Sequence, residues 1–121
     1  MPDFKSIVPV LKISHLDRAV DFYTRVLGFT VTWRAANDGG GDNCMLQAGA
    51  ASLLLSTGTH LGDKPYFTGT LYFNMNKVRE FFDRIKSEVE IVWPLERMEY
   101  GQLEFGLRDP DGYTLAFAEE V

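Results

Sequence analysis

Two stretches of this chain are variants of each other. AVDFYTRV, beginning at Ala19, matches VREFFDRI, beginning at Val78, in both apolar spacing and charge, and aromatic follows aromatic. A chain of 121 residues that repeats itself in this way builds two copies of one small unit. With the halves superposed, Trp33 falls opposite Trp93, and Ser52-Leu53-Leu54-Leu55 falls opposite Thr114-Leu115-Ala116-Phe117. The expected organisation is one domain, 1–121, made of modules at about 6–57 and 69–119. The linker between them, 58–68, contains Gly58, Gly62 and Pro65.

Each half reads β-α-β-β-β. In the first, 6–13 is an apolar strand whose Pro9 removes one ladder donor, which places it at an edge or a kink. Ser14 and Asp17 have capping-box spacing, and Leu16, Ala19, Val20, Tyr23, Val26 and Leu27 recur at helical intervals, predicting a helix over 16–27 that Gly28 ends. Strands follow at 29–33, 43–47 and 52–56, with a glycine turn at 38–42. In the second half, strands at 70–75, 90–93, 103–107 and 113–118 accompany a helical face of Val78, Phe81, Phe82 and Ile85.

The chain carries twelve basic and seventeen acidic residues, a formal charge of −5, which opposes binding to a nucleic-acid backbone and suits a cationic small molecule. No apolar run approaches the ~20 residues that span a bilayer. A single cysteine, Cys44, makes no internal disulfide, so the cytoplasm is the expected compartment.

VPVLKISHLDRAVDFYTRVLGF near the start and YGQLEFGLRDPDGYTLAFAEE at the end resemble the glyoxalase/bleomycin resistance protein/dioxygenase superfamily. The resemblance implies an α+β fold in which two tandem βαβββ modules form half-open barrels around a pocket, within a homodimer. Val8-Pro9-Val10-Leu11 matches the start of antibiotic-binding relatives that exchange their first strand between subunits. Metal-dependent members carry ligands on four inward strand positions, here Val8, Leu54, Thr70 and Ala116, and these offer neither imidazole nor carboxylate. No cofactor is therefore expected.

Within the superfamily the chain is most similar to bleomycin-resistance proteins, which bind their drug without catalysis. Their stacking aromatics correspond to Trp33, Tyr72 and Tyr100, and Asp38, Asp42, Glu96 and Glu99 are the acidic candidates for selecting a cation. Each aromatic also has a packing explanation, and Trp93 is assigned to packing outright. His15 and His60 read as solvated surface groups, Cys44 as core, and Asp109 and Asp111 as turn residues. An alternative is a lyase, isomerase or dioxygenase with a displaced metal site, or one using Thr70, Asn74, Gln102 and Glu104. A third reading, an interaction module without a ligand, predicts a filled, dry pocket.

Overall fold

Apolar residues alternating along strands and recurring along one helix per repeat produce the same topology twice. The computed structural model describes residues 2–37 and 41–121 and has two units, Met1–Pro65 and Tyr66–Val121. The first contains β1 (Val10–Lys12), α1 (Leu16–Asp21), β2 (Thr30–Asn37), β3 (Gly41–Ala48) and β4 (Ala51–Ser56). The second contains β5 (Thr70–Asn74), α2 (Val78–Ile85), β6 (Glu90–Arg97), β7 (Gln102–Arg108) and β8 (Thr114–Glu120). Strand orders are β1-β4-β3-β2 and β5-β8-β7-β6, with the first strand parallel to its neighbour and the others antiparallel. The fold is α+β, two tandem βαβββ modules.

One face of each sheet lies under its own helix. In the first unit Leu11, Cys44, Leu46, Leu53 and Leu55 are buried with Leu16, Ala19, Tyr23 and Val26. Each large apolar side chain so buried contributes about 1.5–3 kcal/mol. In the second unit Phe73, Phe105 and Phe117 stack on the sheet, and Phe81 and Phe82 of α2 meet them edge-on or tilted at centroid distances from 4.9 to 6.1 Å. Strand alternation then turns Tyr72 to the opposite face from Phe73.

Several local features depart from the sequence expectation. Regular pairing of the first strand begins only at Val10, although the Pro9 carbonyl still accepts from Leu54 N at 2.9 Å; Pro9 itself has no N–H to give. Phe4 and Ile7 before it are each 86% exposed. The first helix is α-helical only to Asp21 and continues as a π-helical turn over Phe22–Val26, where Leu27 N bonds Phe22 O and the Thr24 hydroxyl donates to Val20 O. Its N-cap is His15, without a side-chain bond, so the capping box is not made; Asp17 instead accepts from Arg34 Nη2 at 2.7 Å.

Both modules share an irregularity at the tryptophan. β2 shifts register against β3 between Val31 and Trp33, and β6 shifts against β7 between Ile91 and Trp93. An extra residue, Thr32 or Val92, is inserted there and re-aims the side chains that follow.

Candidate functional site

The face of the second sheet turned away from α2 is organised in rows across its four strands. One row runs Tyr72, Ala116, Gly106, Trp93, and the next runs Asn74, Ala118, Glu104, Glu96. The middle of this surface is therefore paved with alanine and glycine, and the bulky groups stand around it. At Gly106 the missing side chain has a specific use: an added Cβ would lie 2.6 Å from three carbons of the Trp93 ring, so the indole lies against the bare backbone.

Glu104 is the chemical centre of this face. It is 3% exposed, and three neutral donors converge on its carboxylate. The Tyr72 hydroxyl donates to Oε1 at 2.6 Å and the Tyr100 hydroxyl to the same oxygen at 2.5 Å, while Trp93 Nε1 donates to Oε2 at 3.1 Å. β5 supplies Tyr72, the bulged β6 supplies Trp93, and the 98–102 hairpin, closed by Met98 N on Gln102 O at 2.7 Å, returns Tyr100 over β7. A carboxylate has about four acceptor sites, so three bonds leave one on Oε2. Among the described residues, none of the ion pairs involves Glu104. Its charge is thus screened by dipoles rather than balanced by a cation.

The phenols respond to that charge. Burial of its hydroxyl end, then the bond to Glu104, push the Tyr72 phenol far above its ordinary value. The bond to Glu104, then burial, raise Tyr100, with a smaller contribution from the Glu96 carboxylate. Both tyrosines are therefore neutral donors at physiological pH, with rings that stay open to solvent, Tyr100 being 65% exposed.

Of the residues singled out from sequence, Tyr72, Tyr100 and Glu96 are brought together here. Glu99 lies exposed on the same hairpin. Trp33 and Asp42 belong to the first unit, Trp33 51% exposed in a row of Val10, Leu54, Met45 and Trp33, and Asp42 exposed beside Thr57. Asp38 lies outside the described residues. Trp93 is more than packing, because its N–H is spent on Glu104. Sequence reasoning gave Glu104 only a place among polar strand groups of the alternative reading and assigned the acidic role to other residues. Gly106 inside a strand was the available signal, since it permits an aromatic ring to approach the backbone.

The remaining candidates take plain roles. Cys44 is buried, and burial pushes its thiol up, away from the reactive thiolate. His15 and His60 are exposed. Asp109 Oδ1 accepts from Asp111 N and Tyr113 N, both at 2.9 Å, which fixes the turn. The four positions expected to match the ligands of metal-dependent relatives do not fit a divalent ion: Val8, which lies before β1 rather than on it, Leu54 and Ala116 have no side-chain donor atom, and Thr70 has one neutral hydroxyl. Across β5 and β8, moreover, Ala116 faces Tyr72, and Thr70 faces Thr114. Among the described residues no group of three or more His, Cys, Asp or Glu is placed to hold a metal, and no helix is long and apolar enough to cross a membrane.

A family model described as Glyoxalase/Bleomycin resistance protein/Dioxygenase superfamily matches residues 7–117. No curated protein matches the sequence. Among solved structures, TioX from Micromonospora sp. ML1 is 23% identical with a TM-score of 0.79, covering 98% of this chain and 100% of that one. TnmS3, an antibiotic binding protein from Streptomyces sp. CB03234, is 16% identical with a TM-score of 0.80, covering 100% and 99%. A lactoylglutathione lyase from Agrobacterium tumefaciens is 20% identical with a TM-score of 0.71, covering 98% and 96%. At these identities the likeness establishes the fold, and a fold that hosts both a binder and a lyase leaves the function to the site.

Proposed function

This chain belongs to the glyoxalase/bleomycin resistance protein/dioxygenase superfamily, and on that footing we propose that it is a metal-free small-molecule binding protein of the cytoplasm. Its ligand is cationic and partly aromatic, as for an antibiotic of the bleomycin type, and it acts by sequestration. The observation that carries this reading is the Glu104 carboxylate, buried under three neutral donors and unmatched by a cation. Burying a charge without a counter-ion costs several kcal/mol, which hydrogen bonds recover only in part. A ligand cation brought to this face recovers more.

Tyr72 and Tyr100 then act as the stacking surface. Both donate to a carboxylate, which enriches their rings in electron density and strengthens their hold on a cation, an interaction worth about 0.5–2 kcal/mol. Glu96 and Glu99 supply the outer negative field of this face; Trp33, Asp42 and Asp38, which belong to the first unit, are assigned a ligand-binding role there by the resemblance alone. Ala116 and Ala118 leave room over the sheet for a flat group. TnmS3, an antibiotic binding protein with this fold, supports the reading. Phenols raised above their ordinary values stay protonated at neutral pH, so both tyrosines act on this face as hydrogen-bond donors.

We place the site in a groove completed by a second copy of the chain. Support comes from the exposed Phe4, Ile7, Val10 and Trp33, since a single chain would leave this apolar surface to water. Calorimetric titration with bleomycin, copper-loaded and metal-free, tests the function. Binding that quenches tryptophan fluorescence, and that weakens in Tyr100→Phe and Glu104→Gln, is the expected result. Absence of heat and of quenching with either form would overturn the reading, as would a stoichiometric divalent ion in protein purified without chelator.

A further inference from the structure

Beside the Glu104 cluster, where β5, β8 and β7 end together, lies a cavity of about 330 Å³ lined by Asn74, Met75, Asn76, Gln102, Ala118 and Glu120. Its position follows from register. Asn74 pairs with Ala118, Ala118 with Glu104, and Gln102 with Glu120, so the cavity continues the row that contains the buried carboxylate. Ala118 keeps the floor low, and Met75 N, bonded to Ala118 O at 2.8 Å, carries the wall beyond the end of β5.

Two features give the cavity a chemical preference. The Gln102 side-chain carbonyl Oε1 is buried and has no hydrogen-bond partner. A buried acceptor left in that state carries its full desolvation cost until a donor arrives. The lining also contains one carboxylate, Glu120, and no lysine, arginine or histidine. Three side-chain amides, which donate and accept, and one carboxylate line the cavity, and Glu104 adds a second negative charge in the row that holds Asn74 and Ala118.

We propose that this cavity is a separate subsite for the N–H-rich cationic end of the ligand, an amidinium, guanidinium or primary ammonium. The Gln102 side chain turns its Oε1 toward one N–H of the incoming group, and the charge is met by Glu120. The proposal rests on the binding reading above for the existence of a ligand, and it adds which chemical group the ligand presents at this end of the sheet. The aromatic part lies over Tyr72 and Tyr100, and the cationic terminus enters between Asn74 and Gln102.

The test uses benzamidine and its neutral relative benzamide as probes, followed by amide and side-chain NMR shifts of the full chain. Benzamidine is expected to shift the Gln102 side-chain amide, identified by its absence in Gln102→Met, and to bind at least about fivefold more tightly than benzamide. Glu120→Gln should weaken benzamidine by about three- to tenfold and leave benzamide within about twofold, whereas Gln102→Met, which removes the acceptor that either probe's N–H can use, should weaken both by about three- to tenfold. Both substitutions sit at partly open positions, so they preserve the fold, which the unchanged remainder of the spectrum verifies. Equal affinity for the two probes, or benzamidine binding unchanged in both variants, overturns the subsite. Parallel titration with bleomycin separates the two claims: bleomycin bound equally by wild type and variants sinks the subsite alone. A benzamidine response as expected, with no bleomycin binding, sinks the larger reading and leaves the subsite.

Discussion

Replacing Gly106 by alanine inserts one methyl group under the Trp93 ring. The new Cβ would stand 2.6 Å from Cδ2, Cε2 and Cε3, whereas carbon atoms at rest sit about 3.5–4.0 Å apart, so the indole must lift by about 1 Å. Its N–H is already 3.1 Å from Glu104 Oε2, and that displacement breaks the bond. Overpacking costs about 1–3 kcal/mol, and losing a bond to a charged acceptor about 1.5–3 kcal/mol. A loss of roughly 3–5 kcal/mol lowers the melting temperature by about 12–20 °C at about 4 °C per kcal/mol. Circular-dichroism melts of a four-member cycle, wild type, Gly106→Ala, Trp93→Ala and the double variant, measure it. In the Trp93→Ala background the added methyl meets no ring, and its cost should fall below about 0.5 kcal/mol. Equal cost in both backgrounds would show that the ring does not need the bare backbone.

Further outcomes concern pH and backbone. The folded phenols of Tyr72 and Tyr100 lie above the unfolded value of about 10, so the fold favours their neutral form; the stabilisation is complete below about pH 10 and is lost as pH rises through the folded values. Urea midpoints should therefore fall more steeply above pH 10 in wild type than in the Tyr72→Phe/Tyr100→Phe variant, and parallel curves would contradict the bonds to Glu104. Glu119 accepts from Lys77 N at 3.0 Å and Val78 N at 3.1 Å, capping α2 from β8, and these bonds hold its carboxyl below the ordinary range. Its contribution is present above the unfolded value of about 4.3 and disappears as pH falls through the folded one, so the melting difference between wild type and Glu119→Ala should shrink on acidification. Lys77, at the N-cap of α2, has a φ of 61°; Lys77→Gly should raise stability by about 0.5 kcal/mol, and a lower melting temperature would mean that its side chain carries weight.

The fold was legible because its causes are local and repeated. The paired helical segments at Ala19 and Val78 and the period-two strands set helix and sheet faces. The π-helical turn at Phe22–Val26 was not, because the apolar spacing of 16–27 fits an ordinary helix and nothing in it marks the longer bond from Leu27 N to Phe22 O. Tyr72 and Tyr100 stood out as aromatics near a pocket, but their shared partner did not. Glu104 becomes a hub only when a bulge turns Trp93, a hairpin returns Tyr100 and the sheet brings in Tyr72 from 32 residues away; the first two lie within eleven residues of Glu104, but their side chains reach it only through backbone irregularities that strand alternation does not reveal. Acidic groups on loops were easier to suspect than one inside a strand, where alternation alone suggests an ordinary polar position.

The repeated bulge means that both tryptophans leave the backbone at equivalent points and meet different opposites: Met45 for Trp33, Gly106 for Trp93. Opposite the thioether the indole of Trp33 is half exposed; opposite the hydrogen atom of Gly106 that of Trp93 lies on the backbone with its N–H on an acid. Two copies of one module thus present unlike surfaces through the size of a cross-strand neighbour, together with a second register shift, between Trp93 and Glu96, that only β6 carries.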